Sequence, residues 1–148
     1  MEEIQIRKYS EYDREQLLLV WEKSVLATHH FLKPEDFKEI KLAVQSIEFK
    51  DFDVYCLFRN SALLGFLGVA EQKVEMLFLS PEYFGQGLGK KLMKFASQIL
   101  KANKVDVNEQ NEKAVSFYKK LGFETYERTS KDDQGKDYPL LRMKLPIT

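Results

Sequence analysis

The chain has 148 residues and a mass of 17.4 kDa, and this length predicts a single domain over residues 1–148. Hydrophobic residues make up 44% of the sequence and aromatic residues 13%, which excludes the disordered and fibrous classes. The 23 basic residues balance 23 acidic ones, so no overall positive field attracts nucleic acid or an anionic membrane.

Cysteine and histidine are scarce in this sequence. Cys56 is the only cysteine, which excludes an intramolecular disulfide, and we expect it in the core as a small apolar residue. With His29 and His30 it forms no metal-ligand spacing, so we expect no bound metal. The N-terminus is acidic, and no stretch reaches the roughly 20 apolar residues of a membrane-spanning helix. The sequence therefore predicts a cytoplasmic protein that binds neither nucleic acid nor membranes.

The first third of the chain predicts one strand and two helices. Residues 4–7 alternate between apolar and polar side chains, which is typical of a short strand. Ser10 and Asp13 have the spacing of a capping box that opens a helix, and that helix is expected to run to about Ala27. A second helix is predicted to begin after Pro34.

The middle of the chain predicts three strands. Residues 54–58 and 63–69 form a hairpin around a turn at Asn60 and Ser61. Residues 74–79 are apolar at nearly every position, which indicates a strand covered on both faces at the centre of a sheet.

A glycine-rich loop, Gly85-Gln86-Gly87-Leu88-Gly89, comes directly before the third predicted helix. The N-terminus of a helix presents unpaired N–H groups and partial positive charge, so such a loop suits a phosphate group. The loop lacks the P-loop pattern, and the third glycine of the dinucleotide fingerprint would fall at Lys90. It therefore predicts a different phosphate-bearing ligand.

The third helix is predicted to combine an apolar face with several lysines. The residues expected on its apolar face are Leu88, Leu92, Ala96 and Ile99. Residues 85–104 contain no acidic residue and five lysines, namely Lys90, Lys91, Lys94, Lys101 and Lys104. This local charge suits a polyanionic ligand, although a solvated helix face behind a tight glycine turn explains the same composition.

The last third predicts a strand, a helix and a pair of antiparallel strands. Residues 105–107 form the strand, and residues 111–121 form a helix that ends at Gly122. Residues 123–128 and 138–145 form the final two strands, joined by a polar loop.

Two segments in this half resemble motifs of the GNAT superfamily of N-acetyltransferases. Residues 81–92, PEYFGQGLGKKL, resemble the loop that binds the pyrophosphate of acetyl-CoA, whose pattern is Q/R-x-x-G-x-G/A. Residues 108–123, NEQNEKAVSFYKKLGF, are similar to the family element N-x-x-A-x-x-F-Y-x-K-x-G-F. Residues 133–141 are similar to small bacterial members. Phe84 occupies the Q/R position, which removes a side-chain contact and leaves the backbone N–H groups.

The resemblance covers essentially the whole chain and implies a fold. It implies an α/β (α+β) fold with a mixed, mainly antiparallel sheet of about six or seven strands, flanked by about four helices. The sheet is expected to splay at its centre, between residues 74–79 and residues 105–107, with Asn108 helping to widen the gap.

The resemblance also implies acetyl-CoA as the co-substrate. Main-chain groups of Leu77 and Leu79 are expected to hold the pantetheine arm, and an N–H there would stabilise the negative charge that develops on the thioester carbonyl. The residues expected to bind acetyl-CoA are Leu77, Phe78, Leu79, Phe84, Gly85, Gln86, Gly87, Leu88, Gly89, Lys90, Asn111, Ala114 and Tyr118. Asn111 is at the same time the expected N-cap of its helix.

The expected catalytic groups are a proton donor and a base. Tyr118 is the predicted general acid, since a phenol with an ordinary pKa near ~10 protonates a thiolate. The sequence alone favours a core tyrosine with a satisfied hydroxyl at this position, and it is the resemblance that favours the catalytic role. Glu75 is the leading candidate for the base. Three weaker candidates are His29, His30 and Glu109.

The implied function is an N-acetyltransferase in which a primary amine attacks acetyl-CoA directly within a ternary complex. The acceptor is a protein lysine, a protein N-terminus or a small-molecule amine, and the enzyme is a monomer or a homodimer. The aromatic candidates for the acceptor side are Trp21, His29, Phe31, Tyr126 and Tyr138. Two other functions remain open: a non-catalytic acyl-CoA-binding or sensing module, and an interaction domain that keeps only the fold.

Overall fold

The computed structural model describes residues 3–146, which form seven strands and four helices. The strands are β1 (Ile4–Lys8), β2 (Asp53–Arg59), β3 (Ala62–Ala70), β4 (Lys73–Leu79), β5 (Lys104–Asn108), β6 (Glu124–Thr129) and β7 (Leu140–Lys144). The helices are α1 (Arg14–Thr28), α2 (Pro34–Gln45), α3 (Leu88–Gln98) and α4 (Glu112–Lys120). No helix in this range is long and apolar enough to cross a membrane.

The seven strands form one sheet in the order β1-β2-β3-β4-β5-β7-β6. Every neighbouring pair is antiparallel except β4 and β5, which run parallel. The helix α3 lies between these two strands in the chain, as a parallel crossover requires. The predicted fold class, a mixed and mainly antiparallel sheet with about four helices, is confirmed.

Both faces of the central strands are covered, and the side chains of β3 divide between two apolar clusters. Leu67 packs in a cluster with residues of α3 and α4, whereas Phe66 packs in a cluster with residues of α1 and α2. This alternation places α1 and α2 on one face and α3 and α4 on the other. Cys56 on β2 is completely buried in the second cluster, as predicted.

The sheet splays at its centre, as predicted. β4 and β5 pair only through Lys73 with Lys104 and Val74 with Val105, after which β5 continues its pairing with β7 alone. On the other edge of β4, the register with β3 shifts so that Glu75 has no partner residue. A bulge of this kind bends and twists the strand that carries it. The bulge at Glu75 therefore accounts for the separation, whereas Asn108 keeps a regular pairing with Leu140.

Two local predictions differ from the structure. Ser10 and Asp13 form the predicted capping box, but it opens a short 3-10 turn that leads into α1. The prediction that Ile99 belongs to the apolar face of α3 is wrong, since the helix ends at Gln98 and Ile99 is 62% exposed. The chain turns away from the helix axis there, with a positive φ of 60° at Lys101.

Two glycines let β3 and β4 approach each other, and they give a stability prediction. A Cβ at Gly65 would lie 2.7 Å from the backbone oxygen of Phe78, whereas a Cβ at Gly68 would first meet the terminal methyl of Met76. We expect Gly65→Ala to lower the free energy of unfolding by about 1–3 kcal/mol, because the backbone of β4 must shift. Gly68→Ala is the control and should cost clearly less, because the Met76 side chain can rotate. Equal urea unfolding midpoints for the two variants would contradict this.

Candidate active site

A cavity of about 830 Å³ lies between the C-terminal end of α1, the strand β4, the glycine loop and α4. It is lined by all the residues expected to bind acetyl-CoA except Gln86, which is exposed and lines neither cavity. Six further lining residues were not predicted: Ser24, Thr28, Lys113, Phe117, Lys120 and Leu121. Phe117 and Lys120 stand at the F and K positions of the F-Y-x-K element, so that pattern could have identified them.

The glycine loop opens into this cavity in a conformation that side chains disfavour. Gly85 and Gly87 have φ angles of 77° and 80°, and a Cβ at either position would meet nothing within 4 Å. Gly87 is also the N-cap residue of α3, and no side chain caps that terminus. The first N–H groups of α3 therefore face an open space that an anion can fill.

The third glycine of the loop has a packing role. A Cβ at Gly89 would lie 3.3 Å from the ring of Phe117 on α4 and 3.6 Å from a methyl of Leu79. Because Gly89 has no side chain, α4 can approach the first turn of α3 closely. The two helices and the end of β4 thus form adjacent walls of the cavity.

Three lysines line the cavity without a carboxylate partner. Lys90 on α3 and Lys113 and Lys120 on α4 are exposed, and none of them forms an ion pair within residues 3–146. Unpaired ammonium groups around an open cavity favour a ligand that carries several negative charges. Together with the free helix N-terminus, they fit the phosphates of a coenzyme A molecule.

A second cavity, of about 220 Å³, occupies the gap between β4 and β5. It is lined by residues of both strands, including Glu75, Asp106 and Asn108, and by side chains shared with the large cavity. The residues that line both cavities are His29, Leu77, Phe78, Asn111, Ala114 and Tyr118. The two cavities therefore meet at these residues, where a ligand from each side can make contact.

Tyr118 lies at this junction. Its ring is 7% exposed and packs edge-on against Phe117 and Phe123, with ring centroids 5.2 and 5.8 Å away. Its hydroxyl forms no hydrogen bond within residues 3–146, yet it is not sealed in the core. Burial raises the pKa of Tyr118 above its ordinary value, so the phenol keeps its proton near neutral pH.

His29 lies at the junction too, directly after the last residue of α1. Its Nδ1 is 2.7 Å from the hydroxyl of Thr28, and that hydroxyl donates a hydrogen bond to the carbonyl oxygen of Ser24. Burial, and to a smaller extent the neighbouring His30, lower the pKa of His29 to about 4, so the imidazole is neutral at pH 7.

The other candidates for the base differ in their placement. Glu75 lines the small cavity with its side chain 40% exposed, and its carboxylate is 3.9 Å from Lys73 Nζ. Glu109 lines neither cavity, and Arg128 holds both of its carboxylate oxygens, at 2.6 and 2.9 Å. His30 is exposed and lines neither cavity.

Comparison with known proteins identifies the family. The acetyltransferase (GNAT) domain model matches residues 9–145. The chain belongs to the GNAT acetyltransferases. This membership, together with the named relatives below, makes the protein an acyltransferase with GNAT-type acetyltransferase activity.

Three relatives illustrate the similarity of this acetyltransferase to known members. The peptidyl-lysine N-acetyltransferase YjaB of Escherichia coli is 36% identical over 95% of each chain, and its apo-form solution structure has a TM-score of 0.89 over 99% of each chain at 35% identity. The spermidine N(1)-acetyltransferase of Thermoplasma acidophilum is 30% identical over 91% of this chain and 94% of that one. The crystal structure of the PaiA N-acetyltransferase of Thermoplasma acidophilum, in complex with coenzyme A, has a TM-score of 0.71 at 27% identity. That match covers 96% of this chain and 99% of PaiA.

The aromatic residues predicted on the acceptor side of this acetyltransferase do not form one pocket. Trp21 is buried in the core, stacked on Phe37 at 5.9 Å, and Tyr126 is exposed on β6. Neither lines either of the two cavities described above. Phe31 contacts His29 at 5.2 Å and Tyr138 at 5.9 Å, but His29 alone of these residues reaches the cavities.

Tyr138 instead connects the final hairpin to the link between α1 and α2. Its hydroxyl accepts a hydrogen bond from the backbone N–H of Lys33 and donates one to the carboxylate of Asp36. Lys136 in the same loop forms ion pairs with Asp36 and Glu39 at 3.1 and 2.7 Å. These contacts hold the link that carries His29 and Phe31.

Asn111 has the position expected of an N-cap. Its side-chain oxygen accepts a hydrogen bond from the backbone N–H of Ala114 at the start of α4. The same residue lines both cavities, so its amide nitrogen remains available to a ligand. Within residues 3–146, no three histidine, cysteine or acidic side chains are grouped so that they could hold a metal ion.

The low pKa of His29 gives a prediction on stability. As the pH falls below the ordinary value of 6.5, the imidazole of the unfolded chain takes up a proton, whereas the folded one stays neutral to about pH 4. The free energy of unfolding should therefore decrease between pH 6.5 and 4, by at most about 3 kcal/mol from this group. Urea unfolding at pH 7 and pH 4.5 should show a smaller decrease in His29→Gln. An equal decrease in both proteins would contradict the assignment.

Proposed function

We propose that the protein transfers the acetyl group of acetyl-CoA to the side-chain amine of a lysine in a protein or peptide. The observation that carries this proposal is that Tyr118 lines both cavities while its hydroxyl has no partner within residues 3–146 and is not sealed in the core. The name of the YjaB relative, a peptidyl-lysine N-acetyltransferase, supports a lysine acceptor.

The large cavity is the proposed acetyl-CoA site. The N–H groups of the glycine loop and of the first turn of α3 would hold the pyrophosphate, and Lys90, Lys113 and Lys120 would neutralise its negative charge. Because β4 leaves β5 after Val74, main-chain groups of Leu77 and Leu79 have no strand partner on that side and can hold the pantetheine arm. Bound acetyl-CoA supplies an acetyl group already activated as a thioester.

The reaction needs an acceptor amine at the other side of the junction, in the small cavity. The lone pair of the amine forms a bond to the acetyl carbon, and the bond between that carbon and sulfur breaks with its electrons on sulfur. Tyr118 donates its proton to that sulfur, since its hydroxyl is a hydrogen-bond donor without a protein acceptor. Its raised pKa keeps the donor protonated until this step.

The acceptor must lose a proton before it can attack. A lysine amine with a pKa of about 10.4 is almost entirely protonated at pH 7, and neutralising it costs about 4.6 kcal/mol. Glu75 is the proposed group for this first proton, because its half-exposed carboxylate lines the small cavity and contacts solvent. The proton then passes to bulk water, and a neutral amine remains in the gap.

We further propose that one domain over residues 1–148 carries out this reaction in the cytoplasm, as a monomer or a homodimer. The residues that line the two cavities lie on elements between α1 and β5 and on α4, which supports a single domain. The family model, which matches residues 9–145, agrees with that extent.

Titration calorimetry with acetyl-CoA is the first test of this function. We expect a Kd near or below ~100 μM, a binding free energy of roughly 5.5 kcal/mol, with NAD and ATP binding far more weakly. Release of free CoA should then depend on a peptide with one lysine and should stop when that lysine is replaced by glutamine. Spermidine is the small-molecule comparison. Absence of acetyl-CoA binding at millimolar concentration, or acetylation of spermidine but not of the peptide, would contradict the proposal.

A further inference from the structure

His29 has a hydrogen-bonding arrangement that fixes where its proton lies. A hydroxyl carries one hydrogen, and that of Thr28 is used toward the carbonyl oxygen of Ser24, at 2.7 Å. The same oxygen, 2.7 Å from His29 Nδ1, can therefore only accept. The neutral imidazole then has its proton on Nδ1 and a free lone pair on Nε2.

The lone pair of Nε2 belongs to a side chain at the junction, where the reaction needs a group that accepts a proton. Among the six residues that line both cavities, only His29, Asn111 and Tyr118 have polar side chains. The oxygen of Asn111 is occupied by the N–H of Ala114, and the hydroxyl of Tyr118 serves as a donor. Nε2 of His29 has no partner within residues 3–146, so it is the free hydrogen-bond acceptor at the junction.

The segment that carries His29 is held from both ends. Its backbone N–H donates to the carbonyl oxygen of Val25, which keeps the residue on the last turn of α1. On the other side, its ring contacts Phe31, and Phe31 contacts Tyr138 of the final hairpin. The imidazole therefore has little freedom to leave the junction.

We propose that Nε2 of His29 accepts an N–H of the attacking amine and takes that proton as the new N–C bond forms. Thr28 is then a positioning residue that keeps Nε2 unprotonated. This inference rests on the proposed function and assigns the second amine proton, which follows the one that Glu75 removes.

The position of His29 suits this second proton. His29 lines both cavities and so adjoins the site where the N–C bond forms, whereas Glu75 lines the small cavity alone. Once the amine nitrogen bonds to the acetyl carbon, its remaining proton becomes far more acidic, and a base as weak as His29, with a pKa of about 4, is sufficient. At completion His29 holds one extra proton and Tyr118 lacks one. Transfer of a proton between them through solvent restores both.

Two matched pairs of variants test the proposal kinetically. His29→Phe keeps a planar ring without Nε2, whereas His29→Gln places an amide oxygen near the position of Nε2. Thr28→Val removes the hydroxyl without changing the shape, whereas Thr28→Ser keeps it. We expect kcat with the lysine peptide to fall about 100-fold in His29→Phe and less in His29→Gln, and about 10-fold in Thr28→Val, with Thr28→Ser close to wild type. The Kd of acetyl-CoA should change by less than about threefold in each.

Nitrogen-15 NMR of the imidazole gives a readout that does not depend on activity. In the wild-type protein at pH 7, Nδ1 should show the shift of a protonated nitrogen and Nε2 that of an unprotonated one. Thr28→Val should shift this balance toward a mixture of tautomers, and Thr28→Ser should restore it. A proton mainly on Nε2 in the wild type would overturn the inference, as would unchanged kcat in His29→Phe while the wild type acetylates the peptide. A wild type that acetylates no amine would overturn the proposed function and this inference with it.

Discussion

Tyr118→Phe should lower kcat with a lysine peptide by about 100-fold or more and leave the Kd of acetyl-CoA unchanged. The substitution removes one oxygen and keeps the ring, which packs between Phe117 and Phe123. Since the hydroxyl has no hydrogen bond within residues 3–146, its removal breaks no interaction that supports the fold. Steady-state kinetics and calorimetry on the same preparation measure the two quantities.

The matched control for this variant is Tyr126→Phe. Tyr126 is 48% exposed on β6 and lines neither cavity, so its loss of a hydroxyl should leave both kcat and Kd unchanged. If Tyr118→Phe retained wild-type kcat, Tyr118 would not be the proton donor. A large rise in its Kd for acetyl-CoA would instead indicate a binding role.

The pH dependence of kcat/KM gives a second test of Tyr118. Burial raises the pKa of its phenol, so deprotonation of the donor should not lower kcat/KM at pH 9. Over the same range the lysine acceptor becomes increasingly neutral, and the rate should therefore rise from pH 7 to pH 9 at a subsaturating peptide concentration. A rate that declines above pH 8 would indicate a donor with a lower pKa.

The fold and the donor side of the site could be predicted because local patterns specify them. Gly85 and Gly87 have positive φ angles, which favour glycine, so the presence of these glycines in the sequence already indicates the loop conformation. Asn111 likewise caps α4 through contacts with residues three positions away. Features of this kind depend on neighbours along the chain, so one sequence is sufficient to identify them.

The acceptor side could not be predicted, because long-range packing determines it. Trp21 is the exception, since it occupies the same helical stripe as Leu17 and Val25 and this local periodicity already indicates its place in the core. His29 reaches the junction because α1 packs across β3 and β4 and ends beside the splay. The sequence pattern of β4 does not indicate the bulge at Glu75, which separates β4 from β5.

Gly87→Ala should raise the Kd of acetyl-CoA at least tenfold. Gly87 has a φ of 80° at the N-cap of α3, and an alanine there costs about 1–2 kcal/mol unless the loop changes conformation. A changed loop turns its N–H groups away from the cavity, and one lost hydrogen bond to a charged phosphate is worth about 1.5–3 kcal/mol. Calorimetry measures the resulting loss of affinity.

Gly135→Ala separates this effect from a general cost in stability. Gly135 has a φ of 79°, a Cβ there also meets nothing within 4 Å, and the residue lines neither cavity. Both variants should therefore lower the free energy of unfolding by a similar amount, about 1–2 kcal/mol. Only Gly87→Ala should weaken acetyl-CoA binding, because only there do the backbone N–H groups face the proposed phosphate site. Equal Kd values for the two variants would mean that the glycine loop of α3 does not hold the pyrophosphate.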